Sequence, residues 1–140
     1  MSSELRFDVL VLGGGGAALR AALSACEQGA KTAILSKGEA GKSGATYYSV
    51  AEVGAFNVPD GALDPEDSPE EFYRDMEMAA LGTAQLPLCR ILAEQAESAL
   101  QYLEKISGGT VFAKEDGHFK VYQACFSTRP RSHVVENHFK

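Results

Sequence analysis

The feature that most constrains the fold is a run of four glycines between an apolar segment and an alanine-rich segment. Residues 8–12 read Asp-Val-Leu-Val-Leu, which is typical of a buried strand, and the segment after the glycines is dominated by strong helix formers. Gly13, Gly15 and Ala18 have the G-x-G-x-x-G/A spacing of a dinucleotide-binding turn. There the first glycine permits the bend, the second lets backbone approach a pyrophosphate, and the small third residue lets helix and strand pack closely. We therefore expect phosphate at the N–H groups of residues 14–17, where the positive end of the helix dipole lies.

The next residues extend this pattern to a βαβ unit. Gly29 stands where the helix is expected to end, and residues 31–36 are typical of a second short buried strand. Strand, turn, helix and strand fit within about 30 residues, the length of one βαβ unit. A glycine-rich connection that binds nothing is the alternative. It is disfavoured because consecutive glycines lose much conformational entropy on folding.

Length and composition predict a single domain over residues 1–140, with enough apolar residues (45%) for a core. The net charge of −6 argues against nucleic acid as a partner. We expect a cytoplasmic protein, because no segment is typical of a membrane span or a signal peptide. The three cysteines form no C-x-x-C pair, so we expect reduced, mostly buried thiols, and the histidine spacings predict no metal site.

The residues after the second strand bear on the choice of cofactor. NAD-binding domains usually place Asp or Glu there, but this strand ends in Ser36 and Lys37. Lys37 could bind the 2′-phosphate of NADP, or the pair could belong to a flavoprotein class that uses Ser and Lys here. An NADP domain would return quickly to a helix. Residues 38–57 instead form a segment rich in Gly, Ser and Ala, which suits wrapping around a ligand.

Together these segments resemble the N-terminal part of the FAD-binding domain in the succinate dehydrogenase/fumarate reductase flavoprotein superfamily, which includes L-aspartate oxidase. The resemblance implies an α/β fold, a partial Rossmann-like FAD-binding domain made of a βαβ unit plus helices and a β-hairpin. It rests on the order and spacing of residues 8–20, 35–38, 42–46, 51–54 and 67–71, and more faintly of residues 129–131.

The resemblance also implies which residues hold FAD. Residues 14–17 would cradle the pyrophosphate, Ser36 and Lys37 would lie near the adenosine ribose, and residues 43–46 with Glu52 and Gly54 would line the flavin side. Gly44 stands where membrane-bound members carry the histidine that bonds covalently to FAD, which implies non-covalent binding. The expected cofactor-binding residues are Gly13, Gly14, Gly15, Gly16, Ala17, Ser36, Lys37, Ser43, Gly44, Ala45, Thr46, Glu52 and Gly54.

The rest of the chain is expected to be scaffold. A capping box with proline at the first helical position predicts a helix after residue 68, and apolar spacings of three and four predict another over residues 86–105. Residues 110–114 and 118–122 are typical of a β-hairpin. We expect His118 to be exposed. Arg129 and Arg131 are expected to be surface cations rather than catalytic residues.

Three functions remain open. The chain can be the FAD-binding portion of a soluble fumarate reductase/succinate dehydrogenase-like or L-aspartate oxidase-like oxidoreductase, in which flavin exchanges a hydride with a dicarboxylate and the catalytic residues lie beyond residue 140. It can be an NADP-binding module, or a non-catalytic remnant that only associates. The resemblance favours the first. An incomplete sheet would leave an unpaired edge and an uncovered apolar face, so we expect a homo-oligomer or association with an electron-transfer subunit, without direct membrane insertion.

Overall fold

A computed structural model describes residues 4–42, 44–45, 47 and 54–136. These residues form two compact units, one up to residue 47 and the other from residue 54. The expectation of a single domain over residues 1–140 stays a prediction. No helix within the described residues is long and apolar enough to cross a membrane. In the same residues, no group of three or more His, Cys, Asp and Glu side chains could hold a metal ion.

The first unit is the predicted βαβ unit. Strand β1 (Val9–Leu12) leads through the glycines into helix α1 (Gly16–Glu27), and strand β2 (Thr32–Leu35) returns parallel to β1. The helix packs on both strands. Because Leu12 pairs with Leu35, both strands end at the same edge of the sheet. The partial Rossmann-like α/β class is therefore confirmed, with β2 one residue shorter at each end than expected.

One face of this two-stranded sheet is open. Side chains alternate between the two faces of a strand, and Val9 and Val11 of β1 are half-buried. Leu10 and Leu12 point to the other face and are 59% and 71% exposed. Within the part of the chain that the structure describes, the apolar face expected from the sequence is thus uncovered.

The second unit combines two helices with short antiparallel strands. Its elements in chain order are β3 (Ala55–Asn57), α2 (Pro69–Ala79), α3 (Leu86–Ser107), β4 (Lys114–Glu115), β5 (His118–Phe119), β6 (Val121–Tyr122) and β7 (Ser132–Val134). The two helices pack against each other. Strand β7 lies between β3 and β6, and β4 pairs with β5. The core cluster of buried residues consists of Val58, Ala96, Leu100, Phe112 and Val135.

Local sequence signals account for these elements. The hydroxyl of Ser68 accepts a hydrogen bond from the N–H of Glu71 at 3.3 Å, so the predicted cap of α2 is confirmed. Helix α3 also forms as predicted and runs two residues further. The hairpin is confirmed in β4 and β5, but its strands are short because Val121 and Tyr122 pair with β7 instead.

Two expectations about exposure have opposite outcomes. His118 is exposed, as expected. The expectation of mostly buried thiols is wrong, because Cys26 and Cys125 are exposed and Cys89 is half-buried. Cys26 lies in the last turn of α1, and Cys125 lies in the loop between β6 and β7, so neither is placed at a core position.

The expectation of a surface position is wrong for Arg131. Its side chain is 1% exposed, and it donates hydrogen bonds to the carboxylate of Asp67 at 2.7–3.1 Å and to that of Asp75 at 2.6 Å. Arg129 is half-buried and pairs with Asp64 at 2.7 Å. Burial acts to raise the pKa of Asp75, but hydrogen bonds from Thr128 and Arg131 outweigh it and hold that pKa below its ordinary value.

His133 makes a second set of buried polar contacts. Its ring is fully buried, with Nδ1 3.1 Å from the carbonyl oxygen of Arg131 and Nε2 2.9 Å from the carboxylate of Asp60. Burial acts to raise the pKa of Asp60, but the hydrogen bond to His133 and the N–H of Ala62 bring it below its ordinary value. These two contacts anchor the ring between the backbone at Arg131 and the side chain of Asp60.

Replacing Arg131 tests this ionic network. Arg131→Met keeps most of the side-chain volume but leaves two buried carboxylates without their cation. We expect the free energy of unfolding to fall by about 3–5 kcal/mol. Urea unfolding followed by circular dichroism measures it.

Arg129→Met is the matched control, because it removes the same charge from a more exposed position two residues away. It should cost clearly less, since solvent screens exposed ion pairs. Equal losses in the two variants would show that burial of Arg131 does not govern its contribution.

Candidate functional site

Gly13 makes the turn between β1 and α1. Its φ of +121° is a conformation that residues with side chains rarely adopt. Its N–H donates to the carbonyl oxygen of Leu35 at 2.8 Å, and a Cβ built on it would lie 3.6 Å from the Cβ of Ala18. The turn therefore ties the end of β1 to the end of β2 and lies close to the first turn of α1.

The start of α1 is left open for a ligand. Gly15 is the N-cap residue in an extended conformation, no side chain caps the helix, and its first turn carries no acidic residue. The first four N–H groups of a helix, here those of residues 15–18, have no acceptor within the helix. Gly16 and Ala17 are exposed. Together with the helix dipole, these N–H groups make a binding site for an anion such as a phosphate.

Helix α2 shows the contrasting arrangement. Its first turn is capped by the Ser68 hydroxyl and contains Glu70 and Glu71. These groups satisfy and neutralise the positive end of the helix from within the chain. Helix α3 also begins without a side-chain cap or an early acid, so the glycine turn, and not the missing cap alone, distinguishes the start of α1.

Ser36 and Lys37 follow β2 beside the glycine turn. They come directly after Leu35, whose carbonyl oxygen accepts the hydrogen bond from Gly13. The Ser36 hydroxyl is half-buried and accepts a hydrogen bond from the N–H of Gly38 at 3.3 Å, whereas Lys37 is exposed. The structure thus brings both residues to the edge of the sheet where the glycines lie.

The loop after β2 returns to the glycine turn. The N–H of Gly41 donates to the carbonyl oxygen of Gly14 at 3.2 Å. A Cβ built on Gly44 would lie 3.0 Å from the Cα of Gly15. Ala45 follows and is exposed. Gly44 therefore lies against the glycine turn, as predicted for a residue of the same site. The contact of Gly41 with Gly14 was not predicted, and the only signal for it in the sequence is that residue 41 is a glycine.

The other predicted site residues are not brought into this group by the described contacts. Gly54 lies in the second unit, where it is buried and its carbonyl oxygen accepts a hydrogen bond from the N–H of Val135 at 2.8 Å. Ser43, Thr46 and Glu52 lie outside the described residues. Their roles on the flavin side stay predictions.

Sequence comparisons point to one family. The family model described as FAD binding domain matches residues 8–137. Over 118 residues the chain is 40% identical to a fumarate reductase (CoM/CoB) subunit of Methanothermobacter marburgensis. The matched region covers 83% of this chain and 20% of that protein, so the chain spans about a fifth of this curated relative.

Solved structures show the same likeness. Mycobacterium smegmatis Sdh1 in complex with UQ1 superposes with a TM-score of 0.81 at 26% identity, covering 94% of this chain and 21% of that one. The 3-ketosteroid-delta4-(5alpha)-dehydrogenase of Rhodococcus jostii RHA1 gives a TM-score of 0.66 at 27% identity, covering 93% of this chain and 31% of that one. The glycine turn, the open helix start and the family match over nearly the whole chain agree. The chain belongs to the FAD-binding domain family, and it resembles one part of the longer fumarate reductase subunit and of Sdh1.

Proposed function

We propose that this chain holds FAD without a covalent bond, with the pyrophosphate on the backbone N–H groups of residues 14–17. The observation that carries this proposal is the bend at Gly13, after which consecutive glycines lead into an uncapped first turn of α1 that contains no acid. The N-terminal end of a helix bears about half a positive charge, and the pyrophosphate is an anion. Because glycines 13–16 carry no side chains, two phosphates can reach the N–H groups directly.

The remaining cofactor contacts follow from the same placement. Ser36 and Lys37 stand at the end of β2, beside the turn, and we assign them to the adenosine ribose. Strand β2 ends in Leu35 and is followed directly by Ser36 and Lys37, with no acidic residue at its tip. We assign the flavin side to residues 43–46, Glu52 and Gly54, on the basis of the family resemblance.

The proposed chemistry is hydride exchange between the flavin and a dicarboxylate. FAD supplies the redox step when bound, and this chain binds and orients it. The name of the relative from Methanothermobacter marburgensis supports fumarate-type chemistry, and an L-aspartate oxidase-like activity would differ in the dicarboxylate used. In the described residues, Arg131 and His133 are already engaged by Asp67, Asp75 and Asp60, which argues against their binding a substrate carboxylate.

We also propose that the first unit associates with further polypeptide, either a second copy or an electron-transfer subunit. The open face of its sheet supports this, since Leu35 of β2 is 62% exposed in addition to the two leucines of β1. Contiguous exposed apolar surface is typical of interaction sites. The relative from Methanothermobacter marburgensis is itself named as one subunit of an enzyme.

Gly15→Val tests the pyrophosphate site. The φ of Gly15 is −86°, which any residue can adopt, so the valine acts through its bulk and not through backbone strain. It would block two phosphate hydrogen bonds, each contributing about 1.5–3 kcal/mol when charged. We expect the dissociation constant for FAD to rise at least about 100-fold. Quenching of flavin fluorescence on titration measures it.

Ala21→Val is the matched control, because it adds a branched side chain to an exposed position of the same helix. This variant should bind FAD as the unmodified chain does. Full affinity in Gly15→Val, with its circular dichroism spectrum unchanged, would contradict the proposed site.

Non-covalent attachment has its own test. Gly44 carries no imidazole to bond to the flavin, so denaturing the FAD-loaded chain with acid or heat should release all of the flavin. The absorbance of the supernatant and of the precipitated polypeptide measures the two fractions. Yellow colour that stays with washed precipitate would show a covalent bond and overturn this part of the proposal.

A further inference from the structure

Two glycine-containing segments of the first unit meet through bare backbone. After β2 the chain turns at Ser36, and the N–H of Lys42 then donates to the carbonyl oxygen of Glu39 at 3.1 Å. The loop reaches Gly14 through the N–H of Gly41 and then Gly15 through Gly44. Within the described residues, the loop therefore contacts the glycine turn at Gly41 and at Gly44.

The close approach of Gly44 to Gly15 leaves little room for a side chain. A Cβ there would lie 3.0 Å from the Cα of Gly15 and 3.8 Å from its backbone nitrogen. Both neighbours are backbone atoms, which cannot rotate away as the end of a flexible side chain can. Adding a methyl group therefore has to displace either the loop or Gly15.

A comparison with Gly41 separates the steric contact of Gly44 with Gly15 from the effect of a left-handed backbone conformation. Gly41 and Gly44 both have left-handed φ values, +80° and +90°, so a side chain would strain the backbone at either position. A Cβ on Gly41 would nevertheless meet nothing within 4 Å. The two positions of one loop thus share the strain and differ in the contact with the phosphate-binding turn.

We propose that Gly44 is a positioning residue, whose bare backbone seats the loop against Gly15 and thereby aligns the N–H groups that bind the FAD pyrophosphate. This inference rests on the proposed function. A methyl group at residue 44 pushes on the one residue that begins α1, and small displacements of phosphate-binding N–H groups weaken charge-assisted hydrogen bonds. A glycine at residue 44 therefore has two consequences. It lets the loop lie close to Gly15, on which tight FAD binding depends, and it offers no side chain for a covalent bond to FAD.

The test compares Gly44→Ala with Gly41→Ala in the full chain. Titration with FAD and, separately, with ADP gives the dissociation constants, and thermal unfolding without ligand reports the cost of the strained backbone. We expect Gly44→Ala to raise the dissociation constants for FAD and for ADP about tenfold more than Gly41→Ala does. Both variants should remain folded without ligand, and Gly44→Ala should unfold at a somewhat lower temperature, because it adds the contact with Gly15 to the backbone strain that both variants share.

Each other outcome has a definite meaning. Equal affinities in the two variants would overturn the role of Gly44 while leaving the proposed FAD site intact. A loss for FAD alone, with ADP unaffected, would place the effect at the flavin end and also overturn it. Loss of the folded spectrum in Gly44→Ala would make the residue a folding requirement instead. An unmodified chain that binds neither ligand would refute the proposed function itself, and the inference with it.

Discussion

The proposed FAD site depends on backbone that carries no side chains where β1 passes into α1. The glycines there bring N–H groups within reach of a phosphate, but they have a cost. An uncapped helix start forgoes about 1 kcal/mol that Ser, Thr, Asp or Asn would contribute, and each glycine loses extra entropy on folding. Helix α2 in the same chain has the cap. The open start of α1 is therefore a local instability that a bound anion relieves, since a ligand that binds only the folded state stabilises it.

The second unit depends on a different kind of constraint. Arg131 and His133 lie in or next to the central strand β7, and their partners Asp67 and Asp60 lie in the segment between β3 and α2. A buried ion pair contributes little net stability compared with apolar residues in place of both partners, whereas removing one partner leaves the other charge buried and unpaired. The contacts therefore set the path of the 58–68 segment. This explains how a stretch rich in Pro, Gly and acid stays attached to the sheet.

Local sequence patterns predicted the helices and strands well, because the interactions that start and end them involve residues close together in the chain. The bend at Gly13 and the cap at Ser68 each depend on residues within a few positions along the chain. Partners distant in sequence could not be found this way. Arg131 meets Asp67 and Asp75 across 64 and 56 residues, so its sequence neighbourhood indicated only a surface cation.

The site was predicted in part for the same reason. Residues 13–17 share one motif, and the parallel register brings Ser36 and Lys37 beside them. The close approach of Gly44 to Gly15 depends on how a loop without regular structure folds back, and no periodicity encodes that path. Glycine identity was visible in the sequence, but the partner of each glycine was not.

The proposed pyrophosphate site is tested most directly by identifying the backbone amides whose environment changes when FAD binds. In a ¹⁵N-labelled chain with assigned amide resonances, titration with FAD should shift the signals of residues 14–17 most among those of the first unit, with Gly44 following. ADP should reproduce the shifts of the glycine turn, because it carries the same diphosphate. Binding that leaves these amides unshifted and perturbs other residues instead would contradict the account.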